Sequence, residues 1–123
     1  MIKTHELRLG NIVSVNKGFE MTVVAIFKDT VYLDFEGNQG DVWEEKEEDI
    51  FPVPLTGEWF DKFGYELFPW GYVKEGSPLI AFSLTPKEKY WVELGNGFRI
   101  YLPYVYTLQN FIQLTGQELT IKK

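Results

Sequence analysis

The run Pro52-Val53-Pro54-Leu55-Thr56-Gly57-Glu58-Trp59-Phe60-Asp61-Lys62-Phe63-Gly64 constrains this chain more than any other. Each proline fixes its own φ and keeps the residue before it out of the helical region, so the chain must enter this stretch extended. Thr56 then offers a hydroxyl to cap a helix start, Glu58 suits the positive end of a helix dipole, and Gly64 suits the position just past a helix end. Trp59, Phe60 and Phe63 give such a helix one apolar face. The pattern predicts a stiff joint and a short amphipathic helix, dividing two β-rich stretches and filling a core that they share.

Before the joint, Leu7-Arg8-Leu9-Gly10-Asn11-Ile12-Val13-Ser14-Val15 reads as a strand entered through a tight bend or bulge at Gly10-Asn11, and Asn16-Lys17-Gly18 turns the chain. Residues 21–27 and Val31-Tyr32-Leu33-Asp34-Phe35 read as a hairpin. A two-residue turn at Asp29-Thr30 would pair Lys28 with Val31, Ile26 with Leu33 and Val24 with Phe35 on one face, and Phe27 with Tyr32 on the other. A further turn at Glu36-Gly37-Asn38-Gln39-Gly40 leads to Val42-Trp43, and Asp49-Ile50-Phe51 supplies one more short strand. Four or five short strands with tight turns predict a small SH3-like β barrel over residues 1–54.

After the joint, residues 65–68, 71–75 and 79–84 read as strands separated by Pro69, Gly76-Ser77-Pro78 and then Thr85-Pro86-Lys87-Glu88. Tyr90-Trp91-Val92-Glu93-Leu94 and Phe98-Arg99-Ile100-Tyr101-Leu102 flank Gly95-Asn96-Gly97, a hairpin signal. Parity selects a three-residue loop. It sets Val92 against Ile100 and Leu94 against Phe98 on an aliphatic, core-like face, and Glu93 against Arg99 and Trp91 against Tyr101 on the other. Residues 104–115 carry apolar side chains at helical spacing, with Gln109 and Gln113 on the wetter side and Gly116 as the C-terminal cap; residues 118–121 alternate as a short edge strand. The expected class is α+β: the barrel, then helix, antiparallel meander and helix over residues 55–123, the two subdomains sharing a core.

Composition removes several function classes. There is no cysteine, hence no disulfide and no thiolate metal site or nucleophile. The segment Met1-Ile2-Lys3-Thr4-His5-Glu6 lacks a signal-peptide run, and no apolar stretch is long enough to span a bilayer, so a cytoplasmic location without membrane association is expected. Eighteen acids against twelve bases leave a net charge of −6, which argues against nucleic-acid and anionic-membrane partners.

The remaining candidates are few. The sole histidine, His5, lies in a polar terminal segment, no glycine-rich loop has phosphate-binding spacing, and no acid sits where a raised pKa is expected. No catalytic, cofactor-binding or metal-binding residue is assigned. Glu44-Glu45-Lys46-Glu47-Glu48-Asp49 reads as a solvated loop or helical turn at a sheet edge, or as an acidic patch for a basic partner; it lacks the ligand spacing of an EF-hand. Among the aromatics, Trp43 and Trp59 are expected in the core. Trp91, Tyr101, Trp70 and Tyr72, with Glu44, Glu45, Glu47 and Glu48, form the candidate surface for a protein partner.

Three segments also resemble a known group. Leu7-Arg8-Leu9-Gly10-Asn11, Ile50-Phe51-Pro52-Val53-Pro54-Leu55-Thr56, and Leu108-Gln109-Asn110-Phe111 through Leu114-Thr115-Gly116-Gln117-Glu118-Leu119 are similar, in this order, to small uncharacterised proteins of Bacteroides-type gut bacteria and their phages or mobile elements. Gly57 stands where that group more often has Glu, and Thr107 where acidic or polar residues are common. The resemblance implies a bacterial or phage origin and an accessory role, and it transfers no catalytic residue. The leading expectation is a non-enzymatic binding or adaptor protein. A nucleic-acid-associated small barrel and an enzyme with clustered carboxylates are the alternatives.

Overall fold

In the computed structural model, which describes residues 1–15, 18–34, 42–83, 89–93, 97–116 and 119, the chain divides into two units, Met1–Val53 and Pro54–Lys123.

The first unit begins with a short 3-10 turn, Thr4–Glu6, and then bends where the glycine allows it. Gly10 has φ 91°, the Asn11 N–H donates to the Arg8 carbonyl at 3.2 Å, and the Asn11 side-chain oxygen accepts from the Arg8 N–H at 2.7 Å. A positive φ at the third turn position is what an L side chain resists, so Gly10 is required by geometry. Five antiparallel strands follow: β1 (Ile12–Val15), β2 (Glu20–Ile26), β3 (Thr30–Asp34), β4 (Val42–Lys46) and β5 (Ile50–Pro52), in the order β4-β3-β2-β1-β5. Val13, Val15, Met21, Val23, Val31, Leu33 and Ile50 are buried.

This sheet corrects the expected SH3-like barrel over residues 1–54. Among the described residues no sheet closes: β4 pairs with β3, β5 pairs with β1, and these two end strands do not pair with each other. Closure would need a ladder between β4 and β5. Yet β5 is three residues long and ends on Pro52, which has no N–H to give.

The β2–β3 hairpin also departs from expectation. Val23 pairs with Leu33, Ala25 with Tyr32 and Ile26 with Val31, with a bulge between Val23 and Ala25. The expected pairs of Lys28 with Val31 and Ile26 with Leu33 are absent, the Phe27 N–H donates instead to the Thr30 carbonyl at 2.8 Å, and Phe35 lies outside the described residues. The bulge has a packing reason. One unpaired residue places Val24 outside while Val23 and Leu33 meet in the core. Phe27 still reaches Tyr32, edge to face, with centroids 5.2 Å apart.

In the second unit, α1 (Gly57–Lys62) follows the extended backbone of Thr56, whose φ and ψ are −132° and 171°. The Thr56 hydroxyl makes no capping hydrogen bond, contrary to expectation; its carbonyl accepts from the Trp59 N–H at 3.1 Å. The other end of α1 is the better determined. Gly64 has φ 86°, its N–H donates to the Asp61 carbonyl at 3.0 Å, and the Tyr65 N–H reaches the Phe60 carbonyl at 2.9 Å, the paired bonds of a Schellman motif. The hydrophobic contact that accompanies this motif is Tyr65 edge-on to Phe60, at 5.4 Å.

The meander comprises β6 (Glu66–Phe68), β7 (Gly71–Val73), β8 (Ala81–Ser83), β9 (Lys89–Glu93) and β10 (Arg99–Tyr101). β6 and β7 pair, β8–β9–β10 form a three-stranded sheet, and a bridge between Tyr72 and Ile80 joins the two. Glu93 pairs with Arg99, Val92 with Ile100 and Trp91 with Tyr101, as parity requires; loop residues 94–96, and with them the Leu94–Phe98 pair, lie outside the described residues. So do the expected turns at residues 16–17, 36–40 and 85–88 and most of the terminal strand 118–121. The last helix, α2 (Val105–Leu114), buries Val105, Leu108 and Ile112, and ends at Gly116 with φ 86°. Its Thr107 hydroxyl accepts from the Tyr104 N–H at 3.0 Å, so the N-terminal turn is held by a side chain one turn in. Gln109, expected on the wetter side, is buried.

Candidate functional site

The candidate surface of the second unit is built by strand alternation. Tyr90 and Val92 of β9 are buried, which turns Trp91 and Glu93 to the opposite face. Cross-strand pairing brings Tyr101 and Arg99 beside them. The Arg99 guanidinium lies 4.7 Å from the Trp91 ring centroid, its Nε is 3.9 Å from the Glu93 carboxylate, and the Tyr101 ring is 6.0 Å from Trp91 at 54°. Each contact is weak: about 0.5–1 kcal/mol for an exposed cation–π pair, about 0.5–1.5 for two rings and about 0.2–1 for an exposed ion pair. Together they hold three large side chains in one arrangement before any partner arrives, which lowers the entropy lost on docking.

Among the described residues β10 is also an end strand. Leu102 donates its N–H to the Tyr90 carbonyl at 2.8 Å, so alternation points the backbone groups of Ile100 toward β9 and those of Arg99 and Tyr101 away from it. Pro103 continues the outward series, and its carbonyl accepts from the Leu55 N–H at 3.2 Å. Along β10 the side chains stay accessible: Tyr101 is 54% exposed, and Ile100 and the neighbouring Phe98, expected on a core-like face, are exposed as well, because an end strand has a neighbour on one side only.

The other two aromatics separate. Trp70, 61% exposed, sits in the turn between β6 and β7 and stacks on Phe68 with centroids 5.1 Å apart and planes 11° apart. Tyr72 is half-buried and packs against the core: its ring stacks on Phe60 at 4.2 Å and lies beside Phe82 and Tyr90. The bridge to Ile80 explains this, because bridged residues share a face and Ile80 is fully buried. Sequence reasoning did not single out Phe68 as the platform for Trp70 or Arg99 as the cation over Trp91. The hairpin parity that paired Arg99 with Glu93 was the available signal for the second.

In the first unit the acidic run is not a loop. Glu44 and Glu45 lie in β4, opposite Tyr32 and Val31, while Glu47, Glu48 and Asp49 form a 3-10 turn. The Tyr32 phenol hydrogen-bonds the Glu44 carboxylate, and this bond, with the nearby negative charge, raises its pKa. Trp43, expected in the core, is 40% exposed, because an end strand offers it a neighbour on one side only.

Glu47 has a structural role. One carboxylate oxygen accepts the Thr4 N–H at 3.1 Å and the other lies 3.5 Å from the Lys3 ammonium, while Thr4 donates its hydroxyl to the Lys28 carbonyl at 2.7 Å. The Thr4 hydrogen bond, aided by Lys3 and His5 and opposed by desolvation, holds the Glu47 carboxyl below its usual range. A carboxylate whose folded pKa is depressed contributes stability above its unfolded value, and that contribution is lost as pH falls through the folded value. Glu47→Gln should therefore melt lower than wild type at neutral pH, with the gap narrowing on acidification. Parallel pH–melting curves would show that Glu47 adds nothing through its charge.

Among the described residues, no group of three or more His, Asp or Glu side chains is placed to hold a metal ion, and no helix is long and apolar enough to cross a membrane. Compared with protein-family models, curated proteins and solved structures, the chain matches none.

Proposed function

We propose that this chain is a non-enzymatic binding or adaptor protein that holds a protein partner on the outer face of the β9–β10 hairpin. The observation that carries the reading is the Trp91–Arg99–Tyr101 cluster, already ordered and with its one cation balanced by Glu93. Trp, Tyr and Arg dominate binding energy at protein interfaces because each covers a large apolar area while keeping a polar handle. The outward backbone groups of Arg99 and Tyr101 add directional hydrogen bonding beside those rings. A bacterial mobile-element or phage setting is part of the proposal and rests on the resemblance of the Leu7–Asn11, Ile50–Thr56 and Leu108–Leu119 segments.

The test is affinity capture from the native host with wild type and Tyr101→Ala, identifying what wild type alone retains, then titrating that protein against both. Tyr101 is an exposed side chain, so the variant should keep its circular dichroism while the partner binds about 30-fold more weakly or worse, corresponding to roughly 2 kcal/mol. A partner bound equally by both forms removes the cluster from the interface. Capture of DNA or RNA whose binding collapses steeply with salt would replace the reading with nucleic-acid association.

A further inference from the structure

We propose that β4 is a second docking site, taking a cationic, extended segment of another protein as an added antiparallel strand. The sheet of the first unit is open, so two strands end it. An end strand presents backbone donors and acceptors along its free side, and proteins usually guard such edges by shortness, proline or charge. β5 is guarded twice over, being three residues long and closing on Pro52. β4 is five residues long, has no proline, and among the described residues has β3 as its one strand neighbour.

The side chains of β4 select the occupant. Val42 is 49% and Trp43 40% exposed at one end, and Glu44 and Glu45 follow. Among the described residues, ion pairs join Lys3 to Glu47 and Arg99 to Glu93, and Glu44, Glu45 and Glu48 make none. Among the described residues, a buried Asp34 carboxylate oxygen, on the residue opposite Val42, has no hydrogen-bond partner. A second copy does not fit this edge, because two β4 strands centred antiparallel would set the Glu44 carboxylates of the two copies directly opposite each other. A cationic strand does fit. Running antiparallel, like every neighbour in this sheet, it would read two basic residues, an aromatic and an aliphatic, opposite Glu45, Glu44, Trp43 and Val42 in turn. This site is independent of the β9–β10 reading and stands or falls alone.

The probe is a dye-labelled, capped hexapeptide Thr-Lys-Arg-Tyr-Val-Thr, titrated with the full chain by fluorescence anisotropy. Saturable binding is expected, weakened about tenfold or more between roughly 50 and 300 mM salt, as exposed charge pairs are screened. The double substitution Glu44→Gln with Glu45→Gln should weaken binding by a similar factor, with circular dichroism confirming the fold. Two peptide variants leave the protein untouched. Methylating alternate backbone nitrogens, in either register, should cost about tenfold in one of the two, because only one register removes donors that face β4. A scrambled peptide of the same composition should bind about tenfold more weakly. No saturable binding, or equal affinity for the scrambled or both methylated peptides, overturns the proposal and leaves the acids as a guard on the edge.

Discussion

Replacing Gly71 by alanine should destabilise the second unit by about 3 kcal/mol or more and lower the melting temperature by roughly 10 °C or more. Two costs coincide there. Gly71 has φ 146°, a region that L side chains rarely adopt, and a Cβ at that position would lie 2.5 Å from the Ile80 carbonyl oxygen and 3.1 Å from a Leu79 methyl. The carbonyl cannot retreat cheaply, because it accepts the Tyr72 N–H at 2.9 Å in the bridge that joins β7 to β8. Gly116 is the control. It has φ 86° but nothing within 4 Å of an added Cβ, so Gly116→Ala should show the backbone cost alone, about 1–2 kcal/mol. Equal effects at the two positions would mean that the contact with Ile80 relaxes freely.

Phe60→Ala should cost about 3–5 kcal/mol, measured by chemical denaturation. Phe60 is fully buried, and three rings rest on it: Tyr72 stacked at 4.2 Å, Tyr90 at 4.9 Å and Tyr65 edge-on at 5.4 Å. Those rings come from α1's C-terminal turn, β7 and β9, so removing Phe60 opens a void that no single side chain can fill by changing rotamer. The Tyr65 hydroxyl, 2.6 Å from the Ser77 hydroxyl, further limits how far that ring can follow. A loss below about 1 kcal/mol would show that the cluster collapses around the gap and that Phe60 does not organise the unit.

Much of this arrangement was legible before any coordinates. The prolines and Gly64 placed α1, and the spacing of Val105, Leu108 and Ile112 placed α2 to within one residue at each end. The β9–β10 register followed from parity, since a slip of one residue would have set Glu93 against Ile100. The same reasoning failed for β2–β3. A β-bulge changes parity without a mark in composition, and the run Met21-Thr22-Val23-Val24-Ala25-Ile26 has branched or small residues at nearly every position, so no side chain there betrays the slip.

The candidate site divides along the same line. That Trp91, Tyr101 and Arg99 share a face was readable, because the hairpin that aligns them is local. That Tyr72 turns inward while Trp70 stays out was not readable, because it depends on Tyr72 meeting Ile80 across a separate turn. Glu47 looked like one acid among five, and its bond to the Thr4 N–H joins residues 43 positions apart.

The sequence by itself determined where the two helices lie and the register of the β9–β10 hairpin, because backbone dihedrals and side-chain parity act over a few residues. Only the tertiary structure decided that the described strands of the first sheet leave it open, which of them end each sheet, and hence that Trp43 and Tyr101 lie on edges. Those outcomes depend on contacts between distant residues and on where pairing stops, and no local pattern records either.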